Sequence, residues 1–215
     1  MLRRAFLLAP LLCLGLTTLA SAQDDSSLAA LQARYDRLSG LRATFTQVTK
    51  SEFADDSTQV EGQVVLSGNK YRVETPMQTV VTNGATTWIY SPADSQVVVN
   101  DAESNASTVT PQTFLTASTE KYDVASTQTA RRADALHDVY ALTASGASAR
   151  FKEAVLWVRR SDQIVTRLRA TDRNGSILEL RLYDIEVDPG LENRPFTFSA
   201  PEGVEVVDLR ADASG

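Results

Sequence analysis

The chain has 215 residues, a formal charge of −6, one cysteine and one histidine. That acidity argues against nonspecific binding to nucleic acid or anionic lipid surfaces, and one cysteine with one histidine leaves little for thiolate, metal or triad chemistry. The length suits one sizeable domain.

In chain order, Arg3 and Arg4 precede an apolar run from Ala5 to Ala20, and Ala20-Ser21-Ala22 closes it with a small-x-small pattern. This is the pattern of a secretory signal peptide, cleaved after residue 22. The run is interrupted by Pro10 and is short for a spanning helix. Cys13 sits inside it, after Pro10, Leu11 and Leu12 rather than after the small residue of a lipid-attachment box. The expected mature chain, 23–215, is a single domain with no thiol, no disulfide and no lipid anchor. Loss of Arg3 and Arg4 moves its charge to −8.

Leu28, Leu31, Tyr35 and Leu38 fall on one helical stripe ending at Gly40. The period then changes to two, around Ala43 to Thr49, Val60 to Leu66, Lys70 to Glu74, Thr79 to Pro92 and Gln96 to Asn100, the mark of an antiparallel meander. Within Thr79 to Pro92, Asn83-Gly84 predicts a two-residue turn pairing Thr82 with Ala85, Val81 with Thr86 and Val80 with Thr87. That register places Val81, Trp88 and Tyr90 on one face and Val80 and Ile89 on the other, so neither face is cleanly polar.

Pro111 predicts the start of one brief helix carrying Phe114 and Leu115. Strands follow near Tyr122 to Ser126, Asp138 to Thr143, Glu153 to Arg159, Gln163 to Thr171 and Ser176 to Val187, two of them joined by a hairpin at Asp172 to Gly175. A further strand and turn precede a short flexible tail, Ala211 to Gly215. The fold class is mainly β with a small α content, about ten or eleven strands.

Tyr71 and Val73 alternate with Lys70, Arg72 and Glu74, and Val64 with Leu66, Ile164 with Leu168, and Leu178 with Leu180 and Leu182 form further aliphatic faces. Periodicity alone leaves open whether these faces enclose a filled core or a ligand cavity. No catalytic set is visible: His137 has no Gly-x-Ser-x-Gly partner motif and is expected at a strand edge. Asp184, Glu186 and Asp188 recur every second residue and read as a solvated strand end rather than a cation site. No cofactor is implied.

Four separated segments, taken together, resemble a known family. They are RYDRLSGLRATFTQ (34–47), YRVETP (71–76), the hairpin with WIYSP (88–92) and Gln96, and FTFSAPEGV (196–204) with Asp208. The family is that of the periplasmic outer-membrane lipoprotein carriers, LolA. The resemblance implies an incomplete antiparallel barrel whose short helical lid encloses an apolar cavity for the acyl chains of lipoproteins in transit between membranes. Tyr71 and Val73 then match cavity-lining positions, the Pro111 to Ala117 segment the lid, and Leu28 to Leu38 the first helix. The candidate ligand-binding residues are Leu66, Tyr71, Val73, Val80, Trp88, Ile89, Tyr90, Phe114 and Leu115. Trp88 and Trp157 are expected to report a bound acyl probe by fluorescence.

The implied partners are acylated lipoproteins, an inner-membrane ABC-type lipoprotein-releasing complex and an outer-membrane receptor, with the carrier itself a periplasmic monomer. Ser67-Gly68-Asn69 stands where many members have a basic residue and a proline, and Arg72 points outward by parity, which leaves the lid's locking residue unassigned. Readings that compete are a lipid-sensing or receptor module of the same fold, and a secreted hydrolase acting on lipid or glycan.

Overall fold

The computed structural model describes residues 25–53, 56–102, 109–111, 114–115, 121–191 and 194–210. The expected signal segment 1–22, positions 112–113 and 116–117 of the expected lid, and the tail from Ala211 lie outside the described residues. Helix α1 spans Asp25–Asp36, and the spacing of its apolar residues explains its seat: Leu28, Leu31 and Tyr35 are all buried, as is Leu38 just beyond its end. Tyr35 pins the helix, because its hydroxyl accepts the Val165 N–H at 3.0 Å. Burial pushes the Tyr35 hydroxyl well above its usual pKa, so it stays neutral in this role. Beside it, Arg34 Nε donates to the Asp162 carbonyl at 3.1 Å.

Among the described residues twelve strands form one sheet, one more than the upper sequence count. They are β1 (Leu41–Lys50), β2 (Ser57–Ser67), β3 (Lys70–Glu74), β4 (Thr79–Thr82), β5 (Thr86–Ser91), β6 (Gln96–Asp101), β7 (Tyr122–Arg132), β8 (Ala135–Ala144), β9 (Phe151–Arg159), β10 (Ile164–Asp172), β11 (Ile177–Val187) and β12 (Glu205–Asp208). Their order is β12-β6-β5-β4-β3-β2-β1-β11-β10-β9-β8-β7. All described pairs are antiparallel except β12, which runs parallel to β6. The two runs of consecutive hairpins meet where β11 returns to pair with β1. Inward residues as far apart in the order as Val80 on β4 and Leu142 on β8 belong to one apolar cluster with α1, so the sheet curls around a shared interior.

Local chemistry sets the turns. At Asp172 to Gly175 the Asp172 carboxylate accepts the Asn174 and Ser176 N–H groups at 2.8 and 2.9 Å, and Gly175 takes φ +88°. The Asn83-Gly84 turn differs from its expectation. Thr82 pairs with Thr87, Val81 with Trp88 and Val80 with Ile89, so the loop residues are Gly84 and Ala85. The reason is the Asn83 side chain: its carbonyl oxygen accepts the Ala85 and Thr86 N–H groups at 2.9 and 2.8 Å, while Gly84 alone takes positive φ. A two-residue slip preserves parity, so the faces read from the sequence are the faces observed.

One further expectation is corrected and one holds. His137 lies within β8, hydrogen-bonded on both sides to β7 and β9, and is only 4 % exposed rather than at an edge. Asp184, Glu186 and Asp188 are all exposed, the solvated strand end expected of them, with Asp184 at φ +50° where a bulge in β11 lies against β1 between Arg42 and Thr44. Glu186 then pairs with Arg42 at 3.0 Å. Asp188 accepts the Ser39 hydroxyl, Ser39 N–H and Gly40 N–H, and these bonds hold its carboxyl below the usual carboxylate range.

On the outer face of β9 to β11, Arg167 lies 4.3 Å over the Trp157 ring and, with Arg181, flanks Glu179. Burial alone would raise the Glu179 carboxyl, but the two arginines outweigh it and hold it low. A carboxyl depressed in the folded state stabilises the fold above its unfolded pKa, and loses that contribution as pH falls through the folded value. Glu179→Gln is therefore expected to cost about 1 kcal/mol at pH 7, with the deficit shrinking below about pH 4. Urea unfolding at both pH values checks this, and a deficit independent of pH would contradict it.

Candidate functional site

The inner face of β1 to β4 and β11 lines a cavity of about 440 Å³, within the roughly 300–1,000 Å³ range of small-molecule sites. Its wall is built from register. Val64 pairs with Val73 and Val73 with Val80, while Phe45 lies between Gly62 and Leu182, and Gln47 between Val60 and Leu180. All of these except Gly62 line the cavity, joined by Thr75, Met77, Gln78 and Ser91, and by Val109, Thr110 and Pro111, the last of which begins the expected lid.

Gly62 is what makes room for the Phe45 ring. A Cβ there would sit 2.2 Å from the Glu74 carbonyl oxygen and 2.8 Å from the ring. The cavity also has a direction. Along β1 the inward residues run from fully buried Leu41 through Ala43 and Phe45 to half-buried Gln47 and exposed Thr49, and β2 repeats the gradient from Leu66 to Thr58. The closed end adjoins α1, and the open end lies at Gln47, Val60 and the Thr75 to Gln78 turn. Met77, 68 % exposed, stands at that rim.

Pro111, Phe114 and Leu115, the described residues of the expected lid, are seated on this interior. Phe114 N–H donates to the Thr110 carbonyl at 3.0 Å, one helical turn after Pro111. The Phe114 ring lies 5.4 Å from Tyr122 and 6.4 Å from Phe151, and Leu115 is almost completely buried.

Of the nine candidate residues, Val73 and Val80 line the cavity. Leu66, Tyr71 and Ile89 lie on the same inner face within the adjoining core, as do Phe114 and Leu115. Trp88 and Tyr90 lie on the opposite, outer face with Val81, Val97 and Val99. That face is covered by the C-terminal segment: Phe198 meets the Tyr90 ring at 5.8 Å, and Arg72 donates to the Pro195 carbonyl at 3.5 Å. The two apolar sides of the hairpin thus have different partners. Trp157 also faces outward beneath Arg167, so neither tryptophan borders the cavity. The expected intrinsic fluorescence readout loses its geometric basis, and a tryptophan introduced at Phe45 would serve instead.

Phe45, Val60, Leu180 and Leu182 escaped the candidate set. Their signal was present as strand parity, but only the β1–β2 and β1–β11 registers show that they share a wall with Val73. Among the described residues there is no cluster of acidic, histidine or cysteine side chains that could hold a metal ion, and no helix long and apolar enough to cross a membrane.

An open, mostly antiparallel sheet curled around a cavity with a largely aliphatic wall places the protein among half-barrels. The comparisons with known proteins specify which. Residues 36–199 match the family model described as outer membrane lipoprotein carrier protein LolA, and the chain belongs to that family. It is 30% identical over 208 residues to an outer-membrane lipoprotein carrier protein of Aliivibrio fischeri strain MJ11, covering 93% of this chain and 96% of that one. A protein of the same description from Pseudomonas paraeruginosa is 24% identical, with 89% and 92% covered. In fold the chain is similar to an uncharacterized conserved protein from Thermus thermophilus, at a TM-score of 0.59 and 14% identity, covering 85% of this chain and 99% of that one.

Proposed function

We propose that this protein carries the acyl chains of lipoproteins in its apolar cavity while they cross the periplasm from the inner to the outer membrane. The cavity on the inner face of β1 to β4 and β11 supports this reading, and the family and its relatives are named as outer-membrane lipoprotein carriers. On this reading residues 1–22 are a cleaved export signal. The carrier works as a non-enzymatic monomer, loaded by an ABC-type releasing complex at the inner membrane and unloaded onto a receptor at the outer membrane.

The energetics fit a carrier with a movable cover. Each methylene withdrawn from water is worth roughly 0.8 kcal/mol, so even one acyl chain gains many kcal/mol on entering. Reversible transfer needs an opposing term. Displacing Phe114 and Leu115 from their contacts with Tyr122, Phe151 and the core supplies one.

The experiment is native mass spectrometry of the protein purified from the periplasm. Acylated cargo is expected to co-purify with the wild type and to fall at least ten-fold with Leu182→Asp, which puts a charge on the cavity wall. Glu61→Ala, on the outer face of β2, is expected to leave cargo unchanged. Absence of acylated cargo from the wild type under lipoprotein-accumulating conditions would overturn the reading.

A further inference from the structure

We infer that Gln47 is the polar subsite of the cavity, donating a hydrogen bond from its side-chain amide to an ester or amide carbonyl at the head of a bound acyl chain. This rests on the carrier reading above and adds a direction to it: chain ends lie toward Val73 and Val80, and head groups toward the rim. Three observations carry it. Gln47 lines the cavity between Val60 and Leu180, an amide set between two aliphatic cross-strand neighbours. It stands where inward residues pass from buried Phe45 to exposed Thr49, the level at which a chain entering from the open end would hold its first polar atoms.

Of the other polar residues on the cavity wall, Thr75 and Ser91 have their hydroxyls engaged, while Gln78 lies fully out in the exposed rim turn beside Met77. The Thr75 hydroxyl donates to the Gln78 carbonyl at 3.0 Å and accepts the Gln78 N–H at 3.1 Å, and the Ser91 hydroxyl donates to Asp94 at 2.6 Å. The Gln47 amide, by contrast, makes no hydrogen bond with another described residue. A site that offers a donor to a ligand carbonyl discriminates against an analogue lacking it, because the donor is then left unpaired on an apolar wall.

The test compares two synthetic diacylglyceryl-cysteine lipopeptides of equal chain length, one ester-linked and one ether-linked, the second lacking the chain-head carbonyls. Affinities are measured by displacement of a fluorescent fatty-acid probe. The wild type is expected to prefer the ester form about five-fold, the size of one net hydrogen bond. Gln47→Leu is expected to bind both forms equally, at the wild-type affinity for the ether form or tighter. Gln47→Met, of similar length without the donor, repeats the measurement should the leucine variant melt early. An ester preference retained in both variants, or absent from the wild type, would overturn the assignment of Gln47 while leaving the carrier reading intact. Failure of the wild type to bind either lipopeptide would overturn both.

Discussion

Gly62→Ala is expected to lower stability by about 2–3 kcal/mol and to weaken ligand binding, although it adds a single methyl group. The methyl has nowhere to go. It would stand 2.2 Å from the Glu74 carbonyl oxygen, which is backbone and moves only if the end of β3 moves. It would also press on the Phe45 ring at 2.8 Å, and that ring is part of the cavity wall. Relief by shifting β3 disturbs the Val64–Val73–Val80 row, and relief by turning Phe45 inward fills the cavity. Urea unfolding together with displacement of the fluorescent fatty-acid probe reads both effects. Wild-type stability and affinity in Gly62→Ala would show that the sheet gives way more easily here than the close approach implies.

Phe114→Ser should separate the lid's contribution to the empty protein from its contribution to transfer. Phe114 is buried against Tyr122 and Phe151, so truncation to a small polar side chain is expected to cost the ligand-free protein about 3 kcal/mol or more. If an entering chain displaces the same aromatic contacts, that loss falls mainly on the empty state. The loaded state is then favoured relative to it, and lipopeptide transfer to acceptor vesicles is expected to slow by ten-fold or more. Melting temperature with and without lipopeptide, and the transfer rate, measure the two sides. A variant less stable when empty, yet unchanged in both uptake and release, would dissociate the lid from the transport cycle.

How much of this was legible in the residues depended on which physical signal each element carries. Strand faces were legible because alternation survives an even slip: the hairpin turn was misplaced, yet Val80 with Ile89 and Val81 with Trp88 kept their sides. The turn itself was not, since an asparagine can enter the left-handed region or cap the next N–H groups, and here it caps. β7 was read as half its length because most of its residues beyond Val124 are exposed, which removes the alternation that marks a strand. The outer cover of β3 to β6 was invisible for another reason. Tyr90 and Phe198 lie far apart in sequence, and nothing local to either says that they meet. The same limit hid the place of Phe45 and Leu182 in the site: their strand parity was legible, but only long-range pairing joins them to Val73.

The sheet order ends at β7 on one side and β12 on the other. A closed barrel has a bore set by its strand number and shear, and it cannot widen without breaking a ladder. A sheet whose two end strands have no further strand beside them among the described residues is under no such constraint. Its curvature can relax like that of an opened cuff, letting the enclosed space grow with every strand-to-strand hydrogen bond intact. Elasticity of this kind would let one cavity receive acyl chains of different number and length, at a cost in bending rather than in rupture.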